Sequence, residues 1–293
     1  TAAVVREVER QLAAELPPGL HLVATPIGNL SDVTVRAVAV LARADRVLCE
    51  DTRHSRTLLA HFGIRARTEP YHEHNADEMR PRVLAALGNG ERIALVSDAG
   101  TPLVSDPGYR LVRDALAAGH RVESVPGPCA AIAALGAAGL PTDSFHFAGF
   151  LPPRSAARGR RITELAGIPA TLVFYEAPQR VAETLADLAA ILGPRPAVVA
   201  RELTKLHEDY QRGTLPDLAI AAASREVRGE IVLLVGPPAE REASDADIAA
   251  RLDLALETMS LRDASRRVAE ELSVPRSRVY DLGLAREKAV RGG

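Results

Sequence analysis

Aromatic residues are scarce. The 293-residue chain has no Trp, five Tyr and five Phe, so its core must be built from Val, Leu, Ile and Ala. Cys49 and Cys129 are the only cysteines, with neither a disulfide framework nor a metal-ligand spacing between them. Lysine is nearly absent too: among 36 Lys and Arg together, only Lys205 and Lys288 are lysines. A formal net charge of −2 excludes a globally basic nucleic-acid binder but leaves room for a local basic face. No apolar run approaches the roughly 18 residues needed to span a bilayer. The first residues carry Val4, Val5, Val8, Leu12 and Leu16 at helical spacing, a charged amphipathic helix rather than a signal peptide. The expectation is a cytoplasmic protein without a membrane partner. No G-x-G-x-x-G follows the first strand and no G-x-x-x-x-G-K-[ST] occurs, so the usual dinucleotide and phosphate-loop fingerprints are missing.

What is present is 47% hydrophobic and 25% charged residues, ordinary for a globular chain, at a length that suggests about two domains. The chain is organised around Arg92–Gly108. Ile93–Val96 is a short unbroken apolar run, as expected of a strand covered on both faces. It runs into a loop of small, acidic and turn-forming residues, in which Gly100 and Gly108 free the backbone while Pro102 and Pro107 fix it. A second such loop, Pro126–Ala131, follows a strand at 121–125. It opens a helix over 129–138 made of residues so small that another surface can approach its backbone. Strands at 20–24 and 46–49 and helices across 32–43, 76–88 and 107–118 complete a β-α-β-α-β pattern, which implies a parallel open sheet. Such sheets hold ligands in the crevice beyond the carboxyl ends of their strands.

Three polar stretches stand apart. Glu50-Asp51-Thr52-Arg53-His54 reads as a solvated loop or a polar site. Tyr71–Asn75 contains His72-Glu73-His74, yet His-x-His without a third ligand at recognisable spacing does not make a metal site, and no metal is expected. Residues 150–161 carry Arg154, Arg158, Arg160 and Arg161 with no acid beside them and read as a connection, either a solvated linker or a phosphate-contacting arm. A second α/β unit follows, with strands at 171–175, 197–201 and 231–235 and helices at 179–192 and 215–224. Lys205 stands right after a strand. Residues 244–290 are helical in pattern, with Ser260 and Ser277 as caps and Ser273-Val274-Pro275 as a break. The two short helices on either side of that break resemble a helix-turn-helix, although a small helical cap has the same pattern.

Seven segments in order carry a resemblance: Thr25-Pro26-Ile27-Gly28-Asn29, Glu50-Asp51-Thr52-Arg53, Ser97–Pro102, Pro126-Gly127-Pro128, Gly149-Phe150-Leu151-Pro152, Phe174–Pro178 and Glu202-Leu203-Thr204-Lys205. Together they resemble the ribosomal small-subunit methyltransferase I family, of the tetrapyrrole-methylase-like fold, from about residue 20 to 236. The C-terminal helices follow the family more loosely, and residues 1–19 lie outside it. The resemblance implies an α/β protein of two domains, 20–145 and 146–240, with a cofactor cleft between them, an N-terminal helical extension 1–19 and a helical extension 241–293. It further implies methyl transfer from S-adenosylmethionine to the ribose 2′-hydroxyl of a cytidine in the decoding region of 16S rRNA, with the 30S subunit as partner and a homodimer as the assembly. The cofactor would lie against Pro26, Gly28, Ala99, Gly100, Thr101, Val104, Cys129, Ala130, Tyr175, Gly229, Glu230 and Ile231. Two departures from the family pattern stand out. Gln179 occupies a position where many relatives have His, so no histidine base belongs there, and Arg228 stands where Lys is common.

Methyl transfer from a sulfonium needs no metal; it needs in-line geometry and exclusion of water. A positioned base would help with so weak an acid as a ribose hydroxyl. Glu50, Asp51, Asp98, Glu202 and Lys205 are the candidates, and the sequence does not choose among them. The expected RNA face comprises Arg53, Arg154, Arg158, Arg160 and Arg161, with Arg276 and Arg278 at its edge. Two rival readings are an enzyme of the same fold acting on a tetrapyrrole precursor or a modified protein, and a helix-turn-helix nucleic-acid-binding regulator.

Overall fold

The apolar run at 93–96 becomes the middle strand of a five-stranded parallel sheet in the computed structural model, which describes residues 2–224, 226–239, 243–272 and 274–291. In chain order the first lobe comprises α1 (Ala2–Ala13), β1 (Gly19–Val23), α2 (Val35–Arg43), β2 (Arg46–Cys49), α3 (Thr52–His61), β3 (Thr68–Pro70), α4 (Ala76–Gly88), β4 (Arg92–Val96), α5 (Tyr109–Ala117), β5 (Val122–Val125) and α6 (Ala130–Ala138). Its strand order is β3-β2-β4-β1-β5. Alternation along β4 explains why the run is unbroken. Ala94 and Val96 pack with Val40, Leu41 and Leu59 on one face, and Ile93 and Leu95 pack with Val83, Leu87 and Leu111 on the other. Both faces are covered, so neither set of positions tolerates a polar side chain.

The second lobe contains β6 (Phe145–Phe150), α7 (Ser155–Leu165), β7 (Thr171–Glu176), α8 (Val181–Leu192), β8 (Pro196–Arg201), β9 (Asp209–Thr214), α9 (Leu215–Ala223) and β10 (Ile231–Val235). Its sheet, ordered β6-β7-β10-β8-β9, is parallel only between β6 and β7; its other pairs are antiparallel. One face buries Leu172, Phe174, Val199 and Leu233 against α7, α8 and α9. The other brings Val173, Val198, Val232 and Leu234 against the alanines of α6. Because α6 carries almost no side-chain volume, the second sheet lies close to the carboxyl end of the first.

Several sequence expectations change. The arginine-rich 150–161 segment is not a connection, since α7 begins at Ser155. Arg158, Ile162 and Leu165 fall on one helical face and are buried, an amphipathic pattern hidden by an arginine in an apolar position. The polar stretch after β2 is not a loop throughout; α3 starts at Thr52, with the Asp51 carboxylate accepting from Arg53 N at 2.8 Å. Strands β3, β6 and β9 are additional to those read from the sequence, and each is an edge strand.

The chain separates into two compact units, Thr1–Pro238 and Ala239–Gly293. Both sheets lie in the first; the boundary expected at 240–241 lies outside the described residues. The second unit contains α10 (Asp245–Leu256), α11 (Leu261–Leu272) and α12 (Arg276–Arg291). These close on Ile248, Leu252, Ala264, Val268 and Val279. Ser260 accepts from Asp263 N and caps α11 as expected. Ser277 does not cap α12, because the helix begins one residue earlier at Arg276, directly after Pro275. The expected break at Ser273 and the Lys288 side chain lie outside the described residues.

Candidate active site

The loops that leave β1, β4 and β5 at their carboxyl ends are stitched together by backbone bonds. Thr25 and Gly100 exchange N–H···O bonds of 2.9 and 3.1 Å, and the Ser97 hydroxyl donates to Gly100 O at 3.1 Å. Thr101 Oγ1 donates to Pro128 O at 2.9 Å. From the second sheet, the Tyr175 hydroxyl accepts from Ala131 N at 3.2 Å, and burial holds that phenol protonated well above its ordinary range. Gly100 has φ +87°, and a Cβ there would meet Ile27 Cγ2 at 3.2 Å. The turn therefore needs a residue without a side chain. Thus Gly100, Thr101, Cys129, Ala130 and Tyr175 form one connected set, and Val104 N bonds to Thr101 O beside it.

A cleft of about 330 Å³ opens next to this set. Pro26, Gly28, Asp98, Ala99, Lys205 and Glu230 line it. His54 and Thr57 from α3 also line it. His54 belongs to the stretch read from the sequence as a solvated loop or a polar site, whereas Thr57, one helical turn further on, lies outside that stretch; both are exposed. The far wall is a network around Glu202. Its Oε1 accepts from Glu230 N at 2.9 Å and from Lys205 Nζ at 2.9 Å, and the Lys205 ammonium lies 3.2 Å from Glu230 Oε2. Gly229 has φ +88°, and a Cβ there would overlap Glu202 Oε1 at 2.4 Å. Asn29 N donates to Thr204 Oγ1 at 3.1 Å and ties this wall to the loop after β1. Ile231 points the other way, into the core beneath α8 and α9, so only its backbone can face the cleft.

Charge separates the five candidate bases. Arg53 and the cap of α3 occupy Asp51, whose carboxyl falls to about 2 through its hydrogen bonds to Arg53. Glu202 is lowered by the Glu230 backbone N–H and then by Lys205. Burial alone would lower Lys205, but hydrogen bonds to Glu202 and Glu230 outweigh it and keep the ammonium charged. Glu50 is exposed, and Asp98 accepts from Asp51 N at 3.0 Å. A further acid, Asp106, lies on the loop between β4 and α5. Its carboxyl is pushed up to about 6 by burial first and then by the charge of Glu50, with Asp98 adding and a hydrogen bond with Ser97 opposing. It lies inside the stretch the sequence singles out, but its burial is a tertiary fact.

The expected RNA face divides. Arg154 and Arg160 are exposed and, among the described residues, pair with no acid. Arg53 is exposed but paired with Asp51 at 2.8 Å, and Arg161 is paired with Glu164 at 2.9 Å. Arg158 is withdrawn from the face: it is only 2% exposed, and its Nε donates to Asp187 Oδ2 at 2.6 Å. In the second unit, Arg276 donates to Arg262 O and Arg278 pairs with Asp245 at 2.7 Å.

Residues 19–219 match the model of the tetrapyrrole (corrin/porphyrin) methylases, and residues 242–287 match that of the RsmI C-terminal HTH domain. Ribosomal RNA small subunit methyltransferase I of Mesorhizobium japonicum is 55% identical over 80% of this chain and 81% of its own length. The chain belongs to the ribosomal RNA small subunit methyltransferase I family. The Xylella fastidiosa (strain Temecula1) member is 49% identical, covering 90% of this chain and 98% of itself. Among solved structures, diphthine synthase superposes with a TM-score of 0.59 at 17% identity, over 74% of this chain and 89% of that one. A Thermus thermophilus uroporphyrin-III C-methyltransferase complexed with S-adenosylhomocysteine superposes at 0.54 with 22% identity, over 74% and 97%. At those identities the likeness establishes the shared fold. This family member thus has the two α/β lobes of the tetrapyrrole methylases followed by the helical unit.

Proposed function

We propose that this chain methylates the ribose 2′-hydroxyl of a cytidine in the decoding region of 16S rRNA, using S-adenosylmethionine, within the 30S subunit. The observation that carries the site assignment is the Thr25–Gly100 pair, which sets a side-chain-free turn at the mouth of the central parallel strand. The residues around it suit the cofactor: backbone groups of Ala99, Thr101, Cys129 and Ala130 for adenine, and carboxylates for ribose hydroxyls and for a cation. When bound, the cofactor supplies a methyl group already activated by its sulfonium.

The protein must then position the acceptor and remove a proton. The Ala99-Gly100-Thr101 turn and the Tyr175 ring would hold the cofactor with no bulk near the reacting carbon, and Ile27 and Leu30 give the cleft an apolar side. Asp51, Glu202 and Lys205 are committed to ion pairs, so Glu50 and Asp98 are the better candidates to take the hydroxyl proton at a carboxylate oxygen. Lys205, held charged between Glu202 and Glu230, fixes that wall of the cleft. Arg154 and Arg160, with Arg53 and Arg161 after partner exchange, would supply counterion-releasing contacts. We further propose a cytoplasmic homodimer, a reading that rests on the family resemblance.

Incubation with labelled S-adenosylmethionine and naked 16S rRNA, 30S particles or 70S ribosomes tests the reading. The expected product is 2′-O-methylcytidine, formed preferentially in 30S particles. Label in a base, or in none of the three acceptors, would refute it.

A further inference from the structure

Phe150 is aromatic, meets the ring of Tyr175 and has no role in the steps above. It is 56% exposed in a chain with only five phenylalanines. Its direction is set by a defect in the sheet. In β6 the register against β7 runs Phe147↔Val173 and then Gly149↔Phe174 and Phe150↔Tyr175, with a shift between Phe147 and Gly149. Strict alternation would put Phe147 and Phe150, three residues apart, on opposite faces. The extra residue at the bulge restores them to one face, and bulges next to active sites serve to re-aim side chains in this way. Both rings accordingly meet Tyr175, with centroids at 4.9 Å for Phe147 and 5.7 Å for Phe150. Gly149 adopts φ +64°, and a Cβ there would lie 3.0 Å from Ser105 Oγ, so the bulge abuts the loop that carries Asp106.

Phe147 is partly buried against the core beside α6; Phe150 is exposed. The Phe150 and Tyr175 planes meet at 64°, an edge contact that leaves ring surface of Phe150 open to a further planar group. Tyr175 is itself anchored through Ala131 N, so the edge it offers Phe150 is fixed. We propose that Phe150 is the platform on which the target pyrimidine base stacks, which holds its ribose over the carboxylates at the end of β4. The proposal rests on the rRNA reading above and names the part of the nucleotide that this residue recognises. Unstacked RNA bases are bound in this manner by aromatic side chains, and every base offers a π face.

The test compares Phe150→Ala, Phe150→Leu and Phe150→Tyr with the unaltered enzyme. Methyl transfer to unmethylated 30S particles is measured alongside calorimetric binding of S-adenosylmethionine and sedimentation. The Ala and Leu variants should lose about ten- to a hundredfold in kcat/KM, the range of one base–aromatic stack. The Tyr variant should stay within about threefold, and cofactor affinity and mass should be unchanged in all three. Full activity in Phe150→Leu would overturn the proposal, since a leucine keeps the bulk and loses the ring. So would a changed sedimentation mass, which would make the ring a subunit contact. If the unaltered enzyme transfers no methyl group to 30S particles, the rRNA reading itself falls and takes the platform with it.

Discussion

The Arg158 guanidinium donates through Nε to Asp187 Oδ2 at 2.6 Å and is sealed between α7 and α8 at 2% exposure. A buried ion pair adds little against an apolar replacement, but removing one partner strands the other. Because Asp187 keeps 29% of its side chain exposed, Arg158→Ala should destabilise the protein by about 2–3 kcal/mol, less than for a fully buried pair, read by urea unfolding. Where the variant remains folded, its RNA affinity should keep the parent's salt dependence.

Arg154 and Arg160 are the complementary case, exposed and without an acidic partner among the described residues. Replacing both with Ala should leave stability within about 0.5 kcal/mol and reduce the slope of log affinity for 30S particles against log salt by roughly 1.5. Binding across a salt series decides this; an unchanged slope would move the RNA to another surface.

Gly100→Val places a branched side chain at φ +87°, where even a Cβ meets Ile27 at 3.2 Å. The variant should lose S-adenosylmethionine binding in calorimetry, with a stability cost of about 1–3 kcal/mol from backbone strain. Unchanged affinity in a folded variant would show that the cofactor lies elsewhere.

Asp106 gives a pH signature. Its carboxyl rises from an ordinary value near 3.8 to about 6 in the folded protein. The stability gained by keeping it neutral is therefore complete below about pH 3.8 and is lost as pH rises through about 6. Asp106→Asn should be the more stable protein above pH 7, by on the order of 1–2 kcal/mol after solvent screening, and the advantage should vanish near pH 4. Denaturation at pH 4.5, 6 and 8 measures it.

Much of this architecture could be read from the chain, for identifiable reasons. Interior strands β1, β2, β4, β7, β8 and β10 are buried on both faces, so each is a dense apolar run. The strands that escaped, β3, β6 and β9, are edges, where Pro70, Gly149 and the polar Asp209–Thr214 run are tolerated because one side has no neighbour. At the site, glycines and prolines mark the turns before any folding is considered. Asp106, Thr57 and the burial of Arg158 depend on which elements meet across the fold, and no local pattern encodes that. The arginine cluster illustrates the limit: four residues alike in sequence become two exposed cations with no acid partner among the described residues, one surface pair and one core residue.

The pairing order in the first sheet also governs when the site can exist during synthesis. β1 has two neighbours, β4 and β5, and pairs with Arg92–Val96 and Val122–Val125, so it has no strand partner until about residue 96 has been made and is flanked on both sides only after about residue 125. Closing such long-range parallel pairs is slow. Within the second sheet, β8 and β9 pair across a short loop and can close quickly once Thr214 has been made. In a nascent chain every strand of the first sheet is therefore made before the wall bearing Glu202 and Lys205, and the site is completed only when that wall joins it. The unpaired first strand is the segment most in need of protection as the chain emerges.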